Sequence, residues 1–243
     1  MGGNVVTLRR WCNPIKGAPP KGINYLVEKF NNEIQVVCVP GFSSFKRKFY
    51  FFFLLYFKEF FEILIIKIYH FFKKKIINCS YQKIENINSK DFLDFIKKNK
   101  FNLIISYSCP QIFNKNNLKN INELGINIAN FHPGILPKYR GLFTNYYSLK
   151  NNEKNIGITF HKINSQIDSG NILSELKIPI EQSDTIYSLY KKIYLSENSL
   201  KFIRECLMNY DKIKDNKYKF NEKSKYNSYP NFSEIIRYRF KKF

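Results

Sequence analysis

Acidic residues are scarce in this chain: 19 Asp and Glu stand against 40 Lys and Arg, for a formal charge of +21. Such a balance suits an anionic partner, whether a nucleotide, a phosphate, a folate or a nucleic acid, and does not choose among them. The basic residues form no patterned stripe, because Lys, Asn, Ile and Phe are abundant throughout, so a nucleic-acid partner is not expected. Cysteine is also sparse. Cys12, Cys38, Cys79, Cys109 and Cys206 are odd in number and widely scattered, with no C-x-x-C pair. This excludes the usual zinc spacing and points to reduced thiols, and no metal is expected. The first 22 residues, MGGNVVTLRRWCNPIKGAPPKG, lack both acidic residues and a continuous apolar run. They fail as a secretory signal and are a faint transit-peptide candidate at most, which leaves the cytoplasm as the expected location. No internal repeat is present.

What the chain does contain is enough apolar material, 44% over 243 residues, to bury one large core or two small ones. The longest apolar stretch, YFFFLLYFKEFFEILIIKIYHFF at 50–72, has the length of a membrane span but is interrupted by Lys58, Glu59, Glu62 and Lys67. On a helical wheel those four, with His70, Lys73 and Lys74, fall within about half the circumference, as in an amphipathic helix packed on a sheet. Its aromatic start and basic flanks make contact with a membrane surface the less favoured alternative.

Elsewhere short apolar runs alternate with helical periodicity. Strands are expected at Ile34–Val39, Ile76–Cys79, Leu103–Tyr107, Ile126–Phe131, Ile156–Ile163 and Ile172–Ile178, and helices at Ser89–Lys98, Asn117–Leu124, Phe143–Leu149 and Thr185–Met208. Ser89, followed by Asp91 and then Phe92 and Phe95, has the pattern of a helix start. Strands of this length separated by helices predict an α/β fold with a mainly parallel sheet covered by helices on both faces.

One stretch stands apart from this background: NFHPGILPKYRG, residues 130–141, puts turn-forming residues directly after a short apolar run. On a strand, residues two apart share a side, so Asn130 and His132 project together while Phe131 points into packing. An amide donor beside an imidazole can polarise a carbonyl and move a proton. Taken alone, the pair reads as a turn cap and an ordinary strand-end histidine. Further on, ITFHKINSQIDSGNIL, residues 158–173, places Asp168 in a loop between two strands. A carboxylate from such a loop is what His132 needs to fix its tautomer and stabilise its protonated form, although Asp168 also suits a plain turn.

Together, NFHPGILPKYRGLFT, GITFHKI and IDSGNIL resemble the folate-dependent formyltransferase family, over roughly Phe101 to Ile180 and with order and spacing intact. The resemblance implies a Rossmann-like α/β fold, with a catalytic domain over 1–210 and a short basic, Tyr-rich appendage over 211–243. It implies transfer of a formyl group from 10-formyltetrahydrofolate to a primary amine through a tetrahedral intermediate, without metal. Asn130 takes the place of the oxyanion donor. His132, protonated beside Asp168, adds charge stabilisation, and Asp168 orders the water that carries the proton. For the folate, the matching positions are Cys109, Pro110, Gln111 and Ile112, the loop Ile135, Leu136 and Pro137 with a cis peptide before Pro137, and Asn164. Lys138 and Arg140 are weaker candidates for a substrate anion.

The pattern also departs from the family. No Gly-rich phosphate loop follows the first expected strand; GAPPKG at 17–22 and PGFSSF at 40–45 lack the strand-loop-helix context. The chain after the matched region is too short for the β-barrel of the tRNA enzymes. Its ending, YNSYPNFSEIIRYRF at 226–240, resembles the tail of some small-molecule N-formyltransferases. The expected acceptor is therefore a small, phosphorylated amine such as an amino-sugar nucleotide, with glycinamide ribonucleotide of the same type. A formyltetrahydrofolate hydrolase and a non-catalytic folate or nucleotide binder are the alternatives.

Overall fold

The protein is described from a computed structural model covering residues 4–10, 34–39, 61, 81–213 and 225–240. The expected strand at 76–79, the aromatic segment at 50–72 apart from Phe61, and the two glycine-containing stretches lie outside the described residues.

A seven-stranded sheet organises the chain in the order β3-β2-β1-β4-β5-β7-β8. Its strands are β1 (Asn4–Arg10), β2 (Ile34–Val39), β3 (Tyr81–Lys83), β4 (Phe101–Tyr107), β5 (Asn127–His132), β7 (Asn155–Lys162) and β8 (Ile172–Pro179). The first five pair in parallel; at one edge β7 runs antiparallel to β5, and β8, antiparallel to β7, returns in the direction of the first five. This is the mainly parallel α/β sheet expected. Two-residue strands β6 (Arg140–Gly141) and β9 (Tyr226–Asn227) form a second, small parallel pair.

β4, FNLIISY, is apolar along nearly its whole length because both of its faces are covered. Leu103, Ile105 and Tyr107 join one core with α4 (Ile186–Leu195) and α5 (Glu197–Met208), through Leu189, Ile193, Ile203 and Leu207. Phe101 and Ile104 join the opposite core with α1 (Lys90–Lys98) and α2 (Lys115–Glu123), through Phe92, Ile96, Leu118 and Ile121. Truncating a fully buried side chain such as Phe92 in a core of this kind costs about 3–5 kcal/mol. Ser89 caps α1 as its sequence suggests, its hydroxyl accepting from the Phe92 amide at 3.2 Å.

The single helix expected over 185–208 is instead two. Ser196 is extended at φ −72, ψ 148, and its hydroxyl accepts from the Ser199 amide, which starts a new helix there. The tail, expected as an appendage, packs against the body: Ile235 and Tyr238 of α6 (Phe232–Phe240) share a buried cluster with Ile186 and with Tyr146 of α3 (Thr144–Lys150). Among the described residues, no helix is long and apolar enough to cross a membrane.

Candidate active site

The site grows out of the sheet at β5. Ile128 faces the α1/α2 core, and two and four residues on, the same side of the strand carries Asn130 and then His132. The antiparallel register sets His161 opposite Asn130 and Thr159 opposite His132, so four polar side chains share one patch. Phe131, on the other side, stacks on Phe160 at 4.3 Å between ring centroids. Every second residue feeds the patch, and the alternate ones hold it to the core.

Asp168 closes the patch from the β7–β8 loop. One carboxylate oxygen lies 3.5 Å from His132 Nδ1, and the other lies 3.7 Å from His161 Nε2. The Gly141 amide donates to the oxygen that faces His132, at 2.9 Å. The loop itself is constrained: Asp168 has φ +49, and a Cβ at Gly170 would sit 1.8 Å from the Lys162 carbonyl oxygen, so only glycine lets the chain return past β7. Arg140 donates through Nε and Nη2 to the Ile167 carbonyl at 3.0 and 2.6 Å, holding the residue before Asp168.

These contacts set the protons. His132 Nε2 lies 2.6 Å from the Tyr139 carbonyl oxygen, which can only accept, so the ring carries its hydrogen there and turns Nδ1 towards Asp168. Burial pulls the His132 pKa below 6.5, and the Asp168 charge opposes that pull. For Asp168, burial works upwards but is outweighed by the two imidazoles and the Gly141 amide, which bring its pKa down to about 2. An ionised carboxylate thus faces His132 Nδ1, the ring nitrogen on which a proton would lie between the two groups.

Asn130 presents its amide differently. His161 Nδ1 lies 2.8 Å from the Lys162 carbonyl and must donate to it, so Nε2 accepts from the Asn130 amide at 3.1 Å. One amide hydrogen is fixed by this bond, and the other remains for a ligand oxygen. Thr159 is fully buried; it donates to the Gly134 carbonyl at 2.6 Å and accepts from the Leu136 amide at 3.1 Å, fastening the 134–136 loop above the patch.

The remaining candidates from the sequence fall in two loops beside the patch. Ile135, Leu136 and Pro137 follow β5, and the Leu136–Pro137 peptide is cis, as expected. Cys109, Pro110, Gln111 and Ile112 follow β4 at its carboxyl end, where ligands bind in open α/β sheets. Ile112 is exposed. Burial pushes the Cys109 thiol up to about 11, which keeps it protonated and weakly nucleophilic. Gln111 is an internal latch, accepting from the Ile87 amide and donating to the Glu85 carbonyl. Asn164 shapes its own loop by accepting from the Gln166 amide and the Ser169 hydroxyl. Lys138 pairs with Glu153 at 2.6 Å. Together with the Arg140 contact, this engages both anion candidates within the chain. Sequence reasoning passed over His161 and Thr159: they stand two apart in ITFHKI and so share a side of β7, but only the cross-strand register sets them opposite Asn130 and His132. Among the described residues no group of His, Cys, Asp or Glu is arranged to hold a metal ion.

These observations define a mainly parallel α/β domain with an Asn-His-Asp cluster, reinforced by a second histidine, beside the strand ends. The chain belongs to the formyl transferase family, whose model matches residues 68–204, more than half its length. Over 109 residues it is 41% identical to the bifunctional polymyxin resistance protein ArnA of Wigglesworthia glossinidia brevipalpis, covering 45% of this chain and 16% of that protein. The chain spans less than half the length of the curated relatives it matches. A sugar N-formyltransferase from Shewanella sp FDAARGOS_354 shares the fold at a TM-score of 0.60 and 20% identity, over 92% of this chain and 76% of that one. WlaRD, a sugar 3N-formyl transferase solved in the presence of dTDP and 5-N-formyl-THF, shares it at 0.56 and 18%, over 93% and 69%.

Proposed function

We propose that the chain transfers a formyl group from 10-formyltetrahydrofolate to the primary amine of a small anionic acceptor, of the amino-sugar nucleotide or glycinamide ribonucleotide type. The observation that carries this reading is the convergence of Asn130, His132 and His161 with Asp168, which spans both imidazoles. Family membership and the folate present with WlaRD support the choice of donor. Cytoplasmic location belongs to the same reading.

The amine nitrogen bonds to the formyl carbon, and the bond from that carbon to the folate nitrogen breaks. One proton leaves the amine and one reaches the departing nitrogen, with no change of oxidation state. Asn130 donates its remaining amide hydrogen to the formyl oxygen as charge gathers there, a contribution worth about 3 kcal/mol of barrier for a preorganised donor. His132 holds the proton released by the amine, on the nitrogen facing Asp168, whose ionised carboxylate stabilises the resulting charge. The loops at 109–112 and 135–137, with Asn164, form the proposed folate side, and Lys138 and Arg140 the proposed anion side.

Incubating the protein with 10-formyltetrahydrofolate and a panel of amines, with mass detection of a formyl gain, tests the proposal. Formylation of a nucleotide-linked amine is expected. Formate release without amine would indicate a hydrolase instead, and folate binding without turnover on any amine would indicate a binder.

A further inference from the structure

The same small strand that steadies Asp168 is itself held by the end of the chain. Arg140 and Gly141 pair in parallel with Tyr226 and Asn227, and the Leu142 amide donates to the Asn227 carbonyl at 2.8 Å. The contact is close: a Cβ on Gly141, at φ +88, would lie 2.2 Å from that carbonyl oxygen. On its inner side, β6 grips the Asp168 loop at successive residues, with the Arg140 guanidinium on the Ile167 carbonyl and the Gly141 amide on the Asp168 carboxylate. On its outer side it is backed by a strap that is anchored three ways along its length. Ile235 is buried against Tyr146 and Ile186, Glu234 pairs with Lys150 at 2.5 Å, and Tyr147 donates to the Ser228 carbonyl at 3.1 Å. Glu234 also accepts from the Asn231 amide at 3.0 Å, which starts α6.

We propose that the segment 226–235 is a positioning element for the site: its anchorage on α3 sets β6, and β6 sets the orientation of Asp168 towards His132. The strap does not touch the reacting atoms in this account. Its effect passes through β6, by the Gly141 amide on the oxygen that faces His132 Nδ1 and by Arg140 on the Ile167 carbonyl. The inference rests on the formyl-transfer reading for its kinetic consequence and is independent of it for its structural one.

Both consequences are tested in the full chain labelled with 15N-glycine, whose ten glycines give a simple amide spectrum. Asp168→Asn, which weakens the acceptor, is expected to move the Gly141 resonance. Ile235→Ala and the milder Glu234→Gln are expected to move it the same way, and Ile235→Val to leave it in place. In turnover, Ile235→Ala should lower kcat about tenfold or more with the donor KM nearly unchanged, since a displacement of about 1 Å in a positioning group can cost up to 100-fold. A Gly141 resonance that stays put in both strap variants overturns the proposal, as does one that moves while kcat holds. If the wild-type chain turns over no amine, the formyl-transfer reading fails. The resonance arm, which needs no substrate, then decides the proposal alone.

Discussion

Asn130 and His161 lie directly opposite each other on antiparallel strands, with the asparagine amide 3.1 Å from the imidazole Nε2. Because His161 Nδ1 gives its hydrogen to the Lys162 carbonyl, the ring is locked as an acceptor towards Asn130, and the amide cannot flip without facing lone pair to lone pair. The orientation of the proposed oxyanion donor is therefore a property of β7 as much as of β5.

His161→Ala should leave Asn130 in place but free to rotate. We expect kcat to fall about tenfold or more with KM little changed, as for loss of an interaction made chiefly in the transition state. His161→Gln, whose carbonyl can accept the same hydrogen, should recover part of the rate. Equal losses in the two variants would show that the imidazole does more than orient Asn130.

Thr159→Val keeps the shape of a fully buried side chain but removes a donor to Gly134 and an acceptor for Leu136. Leaving those backbone groups unpaired should cost about 1–3 kcal/mol of stability, measurable by urea unfolding. Thr159→Ser should retain most of it. A neutral valine variant would mean that the 134–136 loop does not depend on this residue.

Much of the fold was legible because burial writes itself into sequence. β4, β5 and β7 are apolar runs, and β2 coincides with its expected Ile34–Val39. β1 escaped notice: its apolar stretch from Val5 to Leu8 is short and passes into Arg9 and Arg10, so only its place between β2 and β4 marks it as central. Ser196 was hidden in a helical periodicity that continues on both sides of it, although Ser196 and Glu197 together form an acceptable helix start. In the site, Asn130 and His132 could be paired from two-residue spacing. His161 could not, because its relation to Asn130 exists only through cross-strand register.

Asp168 titrates near 2 in the folded chain, against an ordinary 3.8, so the folded state prefers the ionised form. Its contribution, about 2 kcal/mol, is present above the unfolded value and is lost as pH falls through about 2. Asp168→Asn should flatten this acid limb, read from urea midpoints at neutral and acid pH. An unchanged limb would place the stabilising carboxylates elsewhere.

The turnover of the wild-type chain should carry its own acid limb, set by His132. The proposed step needs an uncharged ring to receive the amine proton, so activity falls as that ring becomes protonated at low pH. Burial, with smaller contributions from His161 and Arg140, lowers its pKa, and Asp168 raises it; the net shift places the limb below pH 6.5. Removing the carboxylate removes the charge that favours protonation, so the residual activity of Asp168→Asn should lose its acid limb to still lower pH. That shift is common to both accounts, and it is the sense of the limb that separates this one from one in which His132 works as a resting imidazolium. In that case rate would decline as pH rises through the His132 pKa, and losing Asp168 would bring the decline to lower pH as well. The pH dependence of kcat/KM in the wild type decides between them: a rise with pH whose midpoint lies below pH 6.5 supports the neutral ring, and a fall over the same interval overturns it.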